Sequence, residues 1–244
     1  MSKRLYLNLF LSLLILLFGY HYASGLTDFW TIRIVNIMSI ILAGLFLINF
    51  KPSLLPKKEK STFKIQYLFP IITGIIGLFI FNHFFLILAY KLLDWEWISQ
   101  SNRMKTELAQ LSFLIVILGV LEEFYFRRII AQKIFNSKGF TKALWVSAVI
   151  FGLAHTLTDS GILPTFIGGL VIGYIYLNTH NIWLTIFTHI TYNLIYFFVT
   201  PFLDRRFADL SSYRVTIMLM GFGLFLIFAT YLIFKKQTEL KTSR

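Results

Sequence analysis

Two adjacent glutamates, Glu122 and Glu123, lie with Arg127 inside an apolar stretch of the sequence. An ionisable side chain at membrane depth costs about 3 kcal/mol even on lenient insertion scales, so intramembrane charges are candidates for function. At 100° per residue, Glu123 and Arg127 share one helix face in the order that favours an ion pair. Glu122 points about 100° away from that pair, which makes it the carboxylate predicted to do chemistry. The alternative is a solvated helix end among lipid headgroups, which Arg128 and Lys133 would mark.

Two histidines lie in other apolar stretches of the sequence. Phe151 precedes His155 by four residues and His189 precedes Asn193 by four, so each pair shares a helix face. A single intramembrane histidine is more often a packing residue than a catalyst. Two histidines accompanied by an asparagine and a glutamate favour a functional set. His83 has no comparable company and is interpreted as structural.

A glutamate, two histidines and an asparagine can hydrolyse a peptide bond without a covalent nucleophile. A glutamate buried in a helix bundle suits general-base catalysis on water, and a neighbouring histidine can orient that water or share its proton. A second histidine and an asparagine amide can donate to an oxyanion. The alternative is a zinc site in which Glu122, His155 and His189 hold the metal and its water. The spacing leaves both open, although the H-E-x-x-H signature of soluble zinc peptidases is absent.

The composition predicts that these residues are positioned by membrane helices. The 244 residues are 57% hydrophobic and 14% charged, with a mean hydropathy of +0.72, whereas soluble domains carry about 25% charged residues. We therefore expect an all-α, polytopic transmembrane helical bundle that forms a single domain over 1–244, with its catalytic core at about 108–200. The absence of cysteine excludes disulfides, cysteine zinc sites and thiol catalysis.

Hydrophobic runs predict about eight spans and the loops between them. The spans are expected at about 5–22, 29–50, 65–90, 108–131, 141–158, 162–178, 181–200 and 213–234. The main loops are expected at 51–64, 91–107, 132–140 and 201–212. Gly168, Gly169 and Gly173 in the sixth span predict close helix packing. On these boundaries His155 lies about 14 residues and His189 about 8 residues from the inner ends of their helices, which implies staggered helices or displaced boundaries.

The basic residues predict the orientation of the chain. With the N-terminus in the cytoplasm, 16 Lys and Arg fall inside and 7 fall outside, which favours two cytoplasmic termini. The net charge of +12 lies in short loops, so we expect membrane lipid as a partner and no nucleic acid. The compact size, the basic loops and the lack of a targeting extension lead us to expect a multi-pass protein of the bacterial cytoplasmic membrane.

At the charged and histidine motifs the sequence resembles the CAAX protease and bacteriocin-processing (CPBP, or Abi) family, which includes the eukaryotic Ras-converting CAAX endopeptidase. The family pattern is E-E-x-x-x-R, then F-x-x-x-H, then H-x-x-x-N, and all three motifs occur complete and in order within about residues 115–200. The first 100 residues carry no recognisable signature.

The resemblance implies roles for the motif residues. Glu122 and His155 would activate the water, and His189 and Asn193 would form the oxyanion hole. The remaining motif residues, Glu123, Arg127 and Phe151, would be supporting. Members of the family are classed as metalloproteases, but the structurally understood relative is similar to a metal-free glutamate peptidase whose active site opens to the cytoplasmic side. We therefore expect no cofactor, with zinc as the alternative.

Three functions compete at this point. The leading hypothesis is an intramembrane endopeptidase that cleaves a membrane-anchored protein or a short peptide precursor. The second is a bacteriocin immunity or resistance protein, and the third is a non-enzymatic membrane regulator, which has no need of Glu122. A proton-coupled transporter would also bury Glu and His, but the sequence has no clear internal repeat.

Overall fold

The chain is helical throughout most of the residues that its computed structural model describes, namely 2–51, 53, 55–93, 108–157, 161–210 and 212–239, and those residues contain no β-strand. The helices are α1 (Ser2–Ser24), α2 (Phe29–Leu47), α3 (Leu68–Leu92), α4 (Leu108–Glu123), α5 (Gln132–Lys138), α6 (Phe140–Ala154), α7 (Ile162–Thr179), α8 (Ile182–Leu210) and α9 (Tyr213–Glu239). A π-helix, Phe124–Ala131, joins α4 to α5, and a 3-10 turn, Ile65–Tyr67, precedes α3.

Six of the described helical segments are long and apolar enough to cross a membrane. They are Lys3–Ser24, Phe29–Leu47, Ile65–Leu92, Ile162–Thr179, Ile182–Thr200 and Tyr213–Gln237. The chain is therefore a polytopic all-α membrane protein, as its composition predicted. The other two predicted spans coincide with α4 plus the π-helix and with the shorter apolar helix α6. The number of spans and the sides of the termini stay predictions.

Two of the predicted loops are wrong. The predicted loop at 132–140 is mostly α5, because Gln and Lys are good helix formers and only Gly139, at φ 78°, breaks the helix. The predicted loop at 201–212 is largely a continuation of α8 to Leu210. In both places the helical backbone continues beyond the end of the apolar run. The loop predicted at 91–107 lies largely outside the described residues.

The chain divides into two compact units. The first comprises Met1–Thr62 and Ile117–Ile186, and the second comprises Phe63–Val116 and Phe187–Arg244. In the first unit α1 packs on α2 and α6 packs on α7, while the π-helix contacts α2, α5, α6 and α7. In the second unit α3 packs along α9. The single membrane-embedded domain stays a prediction.

Small residues allow close helix contacts inside each unit. A Cβ added at Gly169 of α7 would lie 3.1 Å from the Cα of Ala148 on α6, so the two backbones are close together there. A Cβ at Gly77 of α3 would lie 2.9 Å from the carbonyl oxygen of Gly223 on α9. The packing predicted for Gly169 is therefore present, whereas a Cβ at Gly168 would meet no atom within 4 Å.

Gly169→Ala is expected to lower the free energy of unfolding by about 1–3 kcal/mol, because the added methyl forces α6 and α7 apart. Gly168→Ala makes the same chemical change on the same helix in open space. It is expected to leave stability unchanged or to raise it by up to about 1 kcal/mol. Unfolding of both purified variants in one detergent measures the difference. Equal effects of the two substitutions would contradict the α6–α7 contact.

Candidate active site

The charged motif lies where α4 gives way to the π-helix. Glu122 and Glu123 are the last residues of α4, and Arg127 lies in the π-helix. The backbone N–H of Gln132 donates to the carbonyl of Arg127, five residues earlier. Such π-helical turns are rare and occur frequently at functional sites.

Side chains of the π-helix and α5 attach this segment to the rest of the first unit. The hydroxyls of Tyr125 and Ser12 on α1 are 2.7 Å apart, and Ser12 Oγ donates to the carbonyl of Ala43 on α2. On the α7 side, the hydroxyl of Tyr176 donates to Gln132 Oε1 at 2.9 Å. These bonds fix the helix that carries the two glutamates.

Glu123 and Arg127 form the ion pair that their spacing predicted. Arg127 Nε lies 3.3 Å from Glu123 Oε2, and both side chains are 0% exposed. The Arg127 guanidinium also lies over the ring of Phe151, 4.9 Å from its centroid. Within the described residues its Nη1 and Nη2 have no hydrogen-bond partner. The solvated helix end considered from the sequence therefore does not apply to this pair.

Glu122 is brought next to His155. The Oε2 atom of Glu122 lies 3.9 Å from Nε2 of His155, and each side chain is 13% exposed. The predicted span at 141–158 placed His155 inside a helix, and this is wrong, because α6 ends at Ala154 and His155 is its C-cap. Apart from Leu157, the sequence from Thr156 to Gly161 consists of Thr, Asp, Ser and Gly, which favour turns over helix and explain the early end. The imidazole therefore lies at a helix end.

One ring nitrogen of His155 is held by the backbone of its own helix. Nδ1 lies 2.7 Å from the carbonyl oxygen of Phe151. A carbonyl only accepts hydrogen bonds, so we assign the proton to Nδ1 and leave Nε2 as the basic atom that faces Glu122. This tautomer suits a histidine that accepts a hydrogen bond or a proton at Nε2.

Phe151 joins the ion pair to the histidine. Its ring lies 4.6 Å from the ring of His155 and 4.8 Å from the ring of Phe126, centroid to centroid. The Arg127 guanidinium lies over the same ring. Through its ring and its carbonyl, this buried residue sets the position of His155 relative to the pair of Glu123 and Arg127. The supporting residues of the motif thus share contacts within the first unit.

His189 and Asn193 lie four residues apart on the part of α8 that belongs to the second unit. The side chain of His189 is 5% exposed, and that of Asn193 is half-buried. Tyr192, directly before Asn193, accepts a hydrogen bond from the Asn82 amide of α3. Asn82 was missed in the sequence, although an asparagine in an apolar span is itself a signal of interhelical bonding. His83 beside it is buried against the rings of Phe79 and Phe84.

Two of the three residues of the predicted zinc site, Glu122 and His155, lie in the first unit. His155 donates through Nδ1 to a carbonyl, which is the usual arrangement of a metal-ligating histidine, and Glu122 is its neighbour. Catalytic zinc takes three protein ligands. In the part of the chain that the structure describes, no group of three His, Asp or Glu side chains is arranged to hold a metal ion. His189, the third predicted ligand, lies in the second unit, and zinc as the alternative cofactor stays a prediction.

Comparison with known proteins identifies the segment that carries these motifs. Residues 104–195 match the family model of the type II CAAX prenyl endopeptidases, Rce1-like. These residues are therefore similar to the CAAX protease family, and the match covers 104–195 of the 244 residues. The match includes every motif residue from Glu122 to Asn193. It overlaps the stretch of about 115–200 over which the resemblance was expected.

The chain is also similar to a curated bacterial protein. The chain is 28% identical over 102 residues to the "Putative membrane peptidase YdiL" of Bacillus subtilis (strain 168). The aligned stretch covers 42% of this chain and 41% of that protein, so the chain spans less than half the length of the relative. No solved structure matches the chain.

Proposed function

We propose that this chain is an intramembrane endopeptidase of the CAAX protease family in which Glu122 and His155 activate a water molecule. The observation that supports it best is the approach of Glu122 Oε2 to His155 Nε2 at 3.9 Å. This separation is too long for a direct hydrogen bond. It is compatible with a bridging water that is about 2.8 Å from both atoms.

The proposed reaction uses Glu122 as the general base and later as the general acid. As the water oxygen forms a bond to the scissile carbonyl carbon, the Glu122 carboxylate accepts the water proton. His155 Nε2 accepts a hydrogen bond from the other water hydrogen and so aims the oxygen at the carbonyl. When the C–N bond breaks, Glu122 gives its proton to the leaving nitrogen. The products are a carboxylic acid, which keeps the second water hydrogen, and an amine, and Glu122 returns to its ionised state. The acid then gives its proton to the amine, which leaves a carboxylate and an ammonium group.

We assign the oxyanion hole to His189 and Asn193. Their support is the H-x-x-x-N motif, which lies within the matched family segment and puts both side chains on one face of α8. Each can donate an N–H to the oxygen that becomes negative when the water attacks. Removal of one such donor in other hydrolases costs about 3–4 kcal/mol of transition-state stabilisation. Glu123, Arg127 and Phe151 hold the helix and His155 in place.

The substrate is proposed to be a membrane-anchored protein or a short peptide precursor in the bacterial cytoplasmic membrane. Comparative peptidomics of a strain with the wild-type protein and a strain with Glu122→Gln tests this. The fragments that depend on the wild-type protein should disappear in Glu122→Gln. Glu59→Gln makes the same change in an exposed loop and should leave the fragments unchanged. Identical peptide profiles in Glu122→Gln and the wild type would refute the proposal.

We propose that the purified protein cleaves its substrate without a bound metal, and the pair that supports a metal-free reaction is Glu122 and His155, whose Oε2 and Nε2 atoms lie 3.9 Å apart. Elemental analysis of the wild-type protein, His155→Ala and His189→Ala measures zinc per chain. The expected zinc content is far below one atom per chain in all three proteins. One zinc per wild-type chain, lost in either variant, would contradict the metal-free mechanism.

A further inference from the structure

A cavity of about 390 Å³ lies in the first unit between the start of α1 and α5. Its polar lining consists of Arg4, Asn8, Lys133, Asn136, Ser137 and Lys138. Lys133 and Lys138 follow the π-helix on the same continuous helical segment as the two glutamates of the active site. None of the cavity residues takes part in the proposed hydrolysis.

Among the described residues, the cavity lining carries three cations and no carboxylate. The surrounding end of the first unit is also basic, because the carbonyls of Pro56 and Lys57 accept hydrogen bonds from Arg128 and Asn136 and bring the basic 55–62 segment alongside. In that segment Glu59 is the only acid. The cavity holds like charges close together. Because these charges repel one another, the binding of an anion between them is favourable.

Lys133, which lines the cavity, donates its hydrogen bond to a neutral acceptor. Its Nζ donates to the carbonyl oxygen of Leu47 at 2.6 Å, and a carbonyl carries no full negative charge to offset the ammonium. Burial lowers the pKa of Lys133 from its ordinary value. An anion in the cavity would stabilise the charged ammonium and the neighbouring cations together.

The surface of α1 beyond the cavity is apolar. Leu7 is 55% exposed, Phe10 57% and Leu14 44% in the protein alone, and an exposed apolar surface on a membrane helix suits contact with lipid acyl chains. A phosphate in the cavity therefore lies at the end of a surface that suits acyl chains. Basic pockets between helices on the cytoplasmic side are typical binding sites for anionic lipid headgroups.

We propose that the cavity between α1 and α5 binds the phosphate of an anionic membrane lipid, with the acyl chains along the apolar surface of α1. The phosphate oxygens accept hydrogen bonds from Arg4, Lys133 and Lys138. A bound lipid then holds the start of α1 against the helix that carries Glu122. This inference stands independently of the proposed peptidase activity.

The test compares two double variants of the full-length protein with the same change in net charge. Arg4→Gln with Lys138→Gln removes two cavity cations and spares Lys133, whose bond to Leu47 is structural. Lys3→Gln with Lys142→Gln removes two exposed cations outside the cavity lining. Each purified protein is titrated with phosphatidylglycerol in a phosphatidylethanolamine background, and bound lipid is counted by native mass spectrometry. Thermal unfolding in detergent verifies that both variants fold.

We expect the cavity variant to bind phosphatidylglycerol about 25-fold more weakly than the wild type, since each basic residue near anionic lipid contributes about fivefold. The control variant should bind within about twofold of the wild type. Wild-type affinity in the cavity variant, or an equal loss in the control, would overturn the proposal. A second arm adds inorganic phosphate at millimolar concentration. Displacement of the lipid by phosphate at that concentration would assign the cavity to a soluble phosphate and overturn the lipid as its ligand.

Discussion

Glu122→Gln is expected to reduce kcat/KM for peptide hydrolysis about 10²–10⁴-fold, because the amide cannot accept the proton of the attacking water. The Glu122 side chain is 13% exposed, and the substitution keeps its size, so the protein should remain folded. The assay uses the precursor peptide identified by peptidomics and the purified protein in lipid nanodiscs. A residual activity should remain from the oxyanion hole and substrate binding.

A double-variant comparison tests whether Glu122 and His155 act on the same water. His155→Ala should lower kcat by a similar factor, and the double variant should be little worse than either single one, because the two residues act on one water. Glu59→Gln is the matched control with wild-type kinetics. Full activity of Glu122→Gln would refute the mechanism.

The sequence was sufficient to predict the ion pair and the all-helical membrane architecture. An i,i+4 spacing depends only on helix periodicity, so Glu123 and Arg127 meet regardless of the tertiary fold. The π-helix that begins at Phe124 could not be predicted, because it requires a shift of backbone hydrogen bonds that no residue type specifies. The approach of His155 to Glu122 was implied by the family motif and not by spacing.

Helix ends and interhelical polar contacts were the least predictable features. Hydropathy extended the fifth span to 158, but α6 ends at Ala154 because turn-forming residues follow it. Hydropathy likewise ended the seventh span at 200, yet α8 continues to Leu210, since charged residues are compatible with helix outside the apolar region. The contact of Asn82 with Tyr192 joins residues 110 positions apart, and such a contact depends on the tertiary fold.

Glu123→Gln is expected to lower the free energy of unfolding by about 3–5 kcal/mol, because it leaves the fully buried Arg127 cation without its counter-charge. Membrane-embedded burial removes water as an alternative partner, and Nη1 and Nη2 already lack hydrogen-bond partners among the described residues. The loss is a large part of a typical stability of about 5–15 kcal/mol. Unfolding of the purified protein by SDS titration measures it, with Glu59→Gln on the exposed loop as the matched control.

The double variant Glu123→Gln with Arg127→Met distinguishes the energy of the ion pair from the separate contributions of its two side chains. It removes both charges and fills the guanidinium site beside Phe151 with a side chain of similar length, so most of the stability should return. The coupling energy between the two positions should then be at least about 2 kcal/mol, as expected for residues in direct contact. Stabilities that simply add would mean that Arg127 is neutralised by another group. Because the pair holds the helix and leaves the water to Glu122, the double variant should keep far more peptidase activity than the residual activity expected of Glu122→Gln.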